Sequence, residues 1–273
     1  MADIAEAVAH RGTSRPWRNT WGVAALWLPS VAFCVLLVIG WDIASRTTAS
    51  PLVPSAGEVA EEIVRLLKGG DAFRQIGVTL TRIALGFAAA FVISLVCGIA
   101  AARSVAFRRF CEPALLLGLT VPGLVWSLLC VIWFGVGVLA PTVAIALGIV
   151  PVMMLHVIQG MRSVDRDLVE MVSVFQLTKR DRLGMLWMPA LVPHLIAGAR
   201  VGLSLAWKVI VLVELFGLSN GVGYQLNAEF SSQNVAGVLA WTVIFWVVMV
   251  AIEYGLLQLL ERRLVRWRRE PEL

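Results

Sequence analysis

Residues 76–102 read IGVTLTRIALGFAAAFVISLVCGIAAA, an unbroken run in which Arg82 is the one charged residue. As a helix it would rise about 40 Å at ~1.5 Å per residue, more than the ~30 Å hydrocarbon core of a bilayer. Within it Arg82, Gly86, Ala90, Ser94, Gly98 and Ala102 recur every fourth position, so five small residues share one helix face and admit a close neighbour. Further on, Gly198, Gly202 and Ala206 repeat the device. Packing alone explains the small residues but leaves the charges among them without a reason.

Five more apolar blocks of similar length, near 21–45, 112–137, 140–161, 189–217 and 235–262, bring the expected spans to six. Across 273 residues 59% are hydrophobic and 15% charged, with a mean hydropathy of +0.83. Soluble domains run nearer 25% charged, so a soluble enzyme is excluded and an all-α integral membrane bundle is expected. The organisation read from these blocks is a cytoplasmic segment over 1-20, a membrane domain over 21-265 with a loop at 162-188, and a cytoplasmic tail over 266-273. Sixteen Lys and Arg fall in the segments on one side of the spans, among them Arg103, Arg108, Arg109, Arg180 and Arg182. Only Arg46, Arg65, Lys68 and Arg74 fall on the other, which under the positive-inside rule places both termini in the cytoplasm. The basic residues are spread over short loops rather than gathered in a groove, so no nucleic-acid partner is expected. The first block runs past the usual length of a signal-peptide core and lacks a small-residue cleavage site, so it reads as a retained span.

Cys34, Cys97 and Cys130 lie inside apolar blocks and Cys111 beside a basic loop, which suits reduced, buried thiols rather than a disulfide framework. His156 and His194 are too isolated to argue a metal site, and none is expected. In the first outer loop Ser55-Ala-Gly-Glu58 is a capping box, and Val59, Ile63, Leu66 and Leu67 follow at helical spacing until Gly69-Gly70. That helix can lie along the membrane interface or pack on the bundle. Pro122 and Pro151 fall in the middle of expected spans, where a freed carbonyl needs a neighbour or a cavity.

Ionisable groups in the bilayer are costly unless they face a cavity or a partner, which makes Arg82, Arg200, Lys208 and Glu214 candidates for a translocation pathway. Arg200 and Glu214 are fourteen residues apart, within about 40° around a helix, and share a face with Ser204, Trp207 and Val211. Lys208 stands at the edge of that stripe. Positive lining for an anionic solute is one reading; mutual pairing, with Glu214 as the obvious partner, is the other.

The connection 162-188 is the longest on the cytoplasmic side and carries no Pro and no Ser/Gly run. Val164, Leu168, Met171, Val172 and Phe175 recur at helical spacing among Asp165, Arg166, Asp167 and Glu170, followed by Lys179, Arg180, Asp181 and Arg182. Two short amphipathic helices are expected, either docking a partner or sealing the bundle.

Glu170-Met171-Val172, with Pro189 nineteen positions after the Glu and Leu186 and Met188 before it, resembles the signature loop of bacterial ABC-importer permeases. The resemblance extends through Leu52-Val-Pro54-Ser-Ala-Gly-Glu58, Leu80-Thr-Arg82-Ile-Ala-Leu-Gly86-Phe87, Ile132-Trp-Phe-Gly135-Val-Gly137, Ala197-Gly-Ala-Arg200, Val213-Glu214-Leu215 and Gly221-Val-Gly223-Tyr224. Together these resemble the branch serving nitrate, taurine and alkanesulfonate uptake. Two alanines of the family loop are replaced by Met171 and Val172, and Gln176 stands where the family has Gly, a residue that eases positive φ.

The resemblance implies a six-span type I importer permease in the bacterial inner membrane. It would pair with a second copy of itself, dock an ABC ATPase dimer and receive solute from a periplasmic or extracellular binding protein. Glu170, Met171, Val172, Phe175, Gln176 and Pro189 would form the coupling element, with Glu170 as an acidic anchor and Val172 and Phe175 as apolar knobs. The chain has no Gly-x4-Gly-Lys-Ser/Thr phosphate loop, so it is not expected to be an enzyme or to bind a cofactor; ATP and Mg would reside on the partner ATPase. The solute class spans sulfonates, nitrate-like anions, aromatic carboxylates and vitamin precursors. Rivals from other classes are an ion-coupled secondary carrier using Arg82, Lys208 and Glu214 as a relay, and a membrane scaffold.

Overall fold

The computed structural model describes residues 20–257 apart from 49, 51 and 176, and those residues are helical with no strand among them. The chain divides into two units, the first ending at Ala56 and the second beginning at Gly57. The first unit holds α1, Thr20–Thr48. Near its end Arg46 Nε donates to Asp42 Oδ2 at 2.8 Å, and Ser45 Oγ donates to the Val53 carbonyl at 2.8 Å, tying the helix to the segment that follows.

The boundary falls at the first residue of α2, Ala56–Lys68, which starts directly after Ser55 as the capping pattern predicts. Its Val59 is buried, and Ile63 and Leu66 pack against the core. The amphipathic face thus lies on the bundle, while beside it the largely covered Glu62 pairs with the exposed Arg65. Gly70, at φ 73°, turns the chain into α3, Asp71–Arg103.

Where one span is expected over 112–137, two helices stand instead: α4, Val105–Thr120, and α5, Gly123–Phe134, bent by 103°. Pro122 sets the break. It has no N–H to continue the ladder, and it holds Val121 extended at φ −72°, ψ 125°. The last carbonyls of α4 stay satisfied, because the Val121 N–H reaches Leu117 and the Thr120 hydroxyl reaches Leu116 at 2.8 Å.

Helix α6, Leu139–Arg162, is the centre of the bundle, with Ala144, Ile145, Ile149, Met153 and Val157 fully buried. One side receives the small stripe of α3: a β-carbon on Gly86 would lie 2.7 Å from Ile145, and one on Gly98 would lie 2.6 Å from Val157. The Ser94 hydroxyl donates to the Val150 carbonyl across the same seam, at 3.2 Å. Pro151 stays within α6, its ring seated against Gly118 of α4.

The 162-188 segment forms α7, Arg166–Val174, and α8, Lys179–Arg182, as two short helices. Thr178 caps α8 by accepting from the Asp181 N–H at 3.3 Å while donating to the Asp181 carboxylate at 2.6 Å. A π-turn over Leu183–Trp187 then leads into α9, Met188–Gly217, with Pro189 in its first turn, where it has no N–H to continue the ladder from that π-turn. Helix α9 lays Gly198 and Gly202 against His156, Ile149 and Met153 of α6, the second of the two small-residue seams. The chain closes with α10, Val222–Ser231, and α11, Val235–Ile252, which runs on through a second π-turn, Glu253–Leu257.

Among the described residues four helical stretches are long and apolar enough to cross a membrane: α3, α6, Arg180–Gly217 and Val235–Gly255. The bent pair α4 and α5 passes the same test only when taken together.

Candidate functional site

Three features outlast the account of packing: a buried polar network, the outward face of α9, and the surface of the 162-188 loop.

The network lies where α3, α9 and α10 meet. Glu214 is 0% exposed and the Arg82 side chain 13%, with Arg82 Nη1 donating to Glu214 Oε1 at 2.7 Å. The same Nη1 donates to the Asn220 carbonyl at 2.9 Å, and Nη2 donates to the Asn220 side-chain oxygen. The Thr79 hydroxyl faces both Glu214 oxygens, at 3.0 and 2.9 Å. Glu214 Oε2 also accepts from the Gly223 N–H at 3.0 Å. Two further N–H groups at the start of α10 are taken up by α3: Gly221 donates to Gln75 Oε1 at 2.7 Å and Val222 to Thr79 Oγ at 2.9 Å.

Every orphan donor from Gly221 to Gly223 therefore ends on a side chain from another helix, and a carboxylate sits at the positive end of α10. This explains the Gly-Val-Gly sequence. Gly221 adopts φ 103°, open to Gly and to few other residues, and a β-carbon there would lie 2.3 Å from the Glu214 carboxyl carbon. A β-carbon on Gly223 would lie 2.4 Å from the Val211 carbonyl. The other end of α10 is held too: the Asn234 amide donates to Glu229 Oε2 at 2.8 Å, while Asn234 Oδ1 caps α11 by accepting from Gly237 N at 3.1 Å.

The sequence singled out Arg82 and Glu214 as pathway charges, and the structure pairs them with each other. It did not point to Gln75, Thr79 or Asn220. The signal was present on α3, because Gln75, Thr79 and Arg82 at spacings of four and three extend the face that continues as Gly86, Ala90 and Ser94.

Along α9 the expected stripe changes character. Arg200 is exposed, Ser204 and Trp207 are half-buried, and Glu214 is enclosed by α3 and α10. Trp207 stands edge-on to Phe245 of α11, ring centroids 5.9 Å apart. Lys208 is exposed, so Arg200 and Lys208 share the side of α9 turned away from Gly198, Gly202 and Ala206.

On the 162-188 loop, expected to couple to an ATPase, Glu170 and Met171 are exposed, and Phe175 is 71% exposed beside Val174. Val172, expected as a knob for a partner, is instead buried, at 5% exposure. Pro189 is half-buried at the start of α9. Gln176 lies outside the described residues. His156 and His194 pack against Gly198 and Gly160 across the α6–α9 seam, and no cluster of three or more His, Cys, Asp or Glu able to hold a metal occurs among the described residues.

A family model described as "Binding-protein-dependent transport system inner membrane component" matches residues 90–266. The permease SsuC of Bacillus subtilis (strain 168), named for aliphatic sulfonates transport, is 31% identical over 261 residues, covering 94% of this chain and 92% of its own length. The taurine transport system permease protein TauC of Escherichia coli (strain K12) is 28% identical over 246 residues, covering 87% and 88%. Among solved structures, an amino acid ABC transporter superposes with a TM-score of 0.60 at 16% identity, covering 73% of this chain and 97% of that one, a likeness of fold. With the helical bundle, the Glu170–Pro189 loop and the match across more than half its length, the chain belongs to the family of binding-protein-dependent transport system inner membrane components, the permeases of ABC importers.

Proposed function

We propose that this permease moves a small anionic solute, of the sulfonate or taurine kind, into the cytoplasm by alternating access. It does so as a homodimer driven by a separate ATPase dimer and supplied by a soluble binding protein. The observation that carries the anionic reading is the exposure of Arg200 and Lys208 on one side of α9. In a membrane-crossing helix such cations are costly against lipid and gain from a water-filled passage, where they attract negative charge. Arg82 does not contribute to that lining, since its guanidinium is taken up by Glu214 and Asn220.

The names of the sulfonate and taurine relatives support the same solute class. The docking surface for the ATPase is the exposed edge of α7, with Glu170 and Met171 flanked by Val174 and Phe175, a combination of an acidic anchor and apolar contacts that suits a protein groove. The chain supplies the passage and the lever, and ATP with Mg stays on the partner. The cytoplasmic placing of both termini follows from the distribution of Lys and Arg.

The test is uptake of labelled taurine and of an alkanesulfonate into proteoliposomes holding the permease, its ATPase and the binding protein. Lys208→Glu is expected to lower uptake at least tenfold while the subunits still co-purify. Unchanged anion uptake by that variant overturns the anionic passage on α9.

A further inference from the structure

The network at the head of α10 has a mechanical consequence. The hydrogen bonds that tie α3 to the segment following α9 fall on residues 220–222, from Gln75, Thr79 and Arg82. Glu214 closes the ring from α9 through Thr79, Arg82 and the Gly223 N–H. The far end of α10 is fixed to the start of α11 through Glu229 and Asn234. Pulling α3 away from α9 and α10 would strand a fully enclosed carboxylate, a guanidinium and the first N–H groups of α10 together. Separating such a group is among the most costly local changes a protein can make. A cycle that left this network closed would avoid that cost at every turnover.

We infer that the Arg82–Glu214–Asn220 network welds the adjoining ends of α3, α9 and α10 into one block that moves as a unit during transport, so that the passage opens along other seams of the assembly. Gln75, Thr79, Arg82, Glu214 and Asn220 are then positioning residues, which set where α10 sits without touching the solute. A latch that opens and closes within this region is the opposite mechanism, and the two differ in a measurable distance.

Gly77 of α3 is exposed with nothing within 4 Å of a built β-carbon, and Ala228 of α10 is also exposed, so both accept a label outside the network. The experiment uses the assembled complex in liposomes, with Cys34, Cys97, Cys111 and Cys130 replaced by alanine, spin labels on Gly77→Cys and Ala228→Cys of one permease copy, and an excess of unlabelled cysteine-free permease as the second copy, so that only the distance within one copy is read. The distance between the labels is measured without nucleotide and after trapping with ATP and vanadate. The expected result is superimposable distance distributions in the two states of a complex that transports. Adding Glu214→Gln is expected to broaden the distribution in both states and to lower solute uptake per ATP hydrolysed by about tenfold, the loss equivalent to one charge-assisted hydrogen bond. Thr79→Val, which removes one hydroxyl and little volume, should move both readouts in the same direction.

A distribution that shifts or splits on trapping, in a complex that transports, overturns the welded block in favour of a latch. So does a Glu214→Gln complex with a narrow distribution and unchanged uptake per ATP. The inference rests on the ATP-driven reading above: a complex that hydrolyses no ATP fails that reading, whereas a moving distance in one that does fails this one.

Discussion

Replacing Glu214 by Gln keeps the side-chain shape and removes its charge from a site with 0% exposure, facing an Arg82 side chain only 13% exposed. The amide can offer one oxygen to Arg82 and Thr79, but its NH2 group then faces the Gly223 N–H, donor against donor, where Oε2 accepted at 3.0 Å. Removing one partner of a buried ion pair costs about 3–5 kcal/mol, and the retained hydrogen bond places this change near the lower end, about 3 kcal/mol. For a chain of this size that corresponds to a fall in melting temperature of roughly 6–12 °C. The assay is thermal unfolding of the purified assembly in detergent, read by loss of the monodisperse peak after heating. Arg82→Gln alone should cost a similar amount, since it strands the carboxylate. Arg82→Gln with Glu214→Gln should cost less than the two together by more than 1 kcal/mol, because no unpaired charge is left behind. A melting temperature unchanged by Glu214→Gln, or strict additivity in the double variant, refutes the claim that the two side chains form a buried, mutually compensating pair.

Three further outcomes follow from the same geometry. Gly98→Ala places a methyl 2.6 Å from Val157 and 3.3 Å from the Met154 carbonyl and should destabilise the assembly by about 1–3 kcal/mol, whereas Gly77→Ala, with open space around it, should leave its melting temperature unchanged. Glu170→Arg should release the ATPase, seen as its loss from the purified assembly, while membrane insertion of the permease is retained. Phe175→Asp, at a side chain 71% exposed, should weaken the same association by about 2 kcal/mol, roughly thirtyfold in binding measured by titrating the ATPase.

Much of this bundle can be read from hydropathy, because a membrane span declares itself over about 20 residues and the small residues of α3 and α9 mark their seams at helical spacing. Pro122 announces a break in the third apolar block, but the angle of 103° between α4 and α5 depends on what the two helices pack against, which local sequence does not carry. The same limit governs the polar network. Arg82 and Glu214 each stand out as a charge in need of a partner, yet they are 132 residues apart, and pairing them requires the register of α3 against α9. Thr79, Gln75 and Asn220 are individually bland; they gain meaning only because α10 presents its first N–H groups beside them. On α7 both sides of a nine-residue helix carry apolar side chains, so periodicity could not tell that Val172 turns inward while Met171 and Phe175 remain outside.

The most direct measurement is solute uptake into proteoliposomes by the purified permease with and without its ATPase and binding protein. Uptake of an organic anion that requires both partners and ATP is the expected result. Uptake by the permease alone, driven by an ion gradient and indifferent to ATP, would contradict the assignment and return Lys208 and the Arg82–Glu214 pair to the roles of a proton or ion relay.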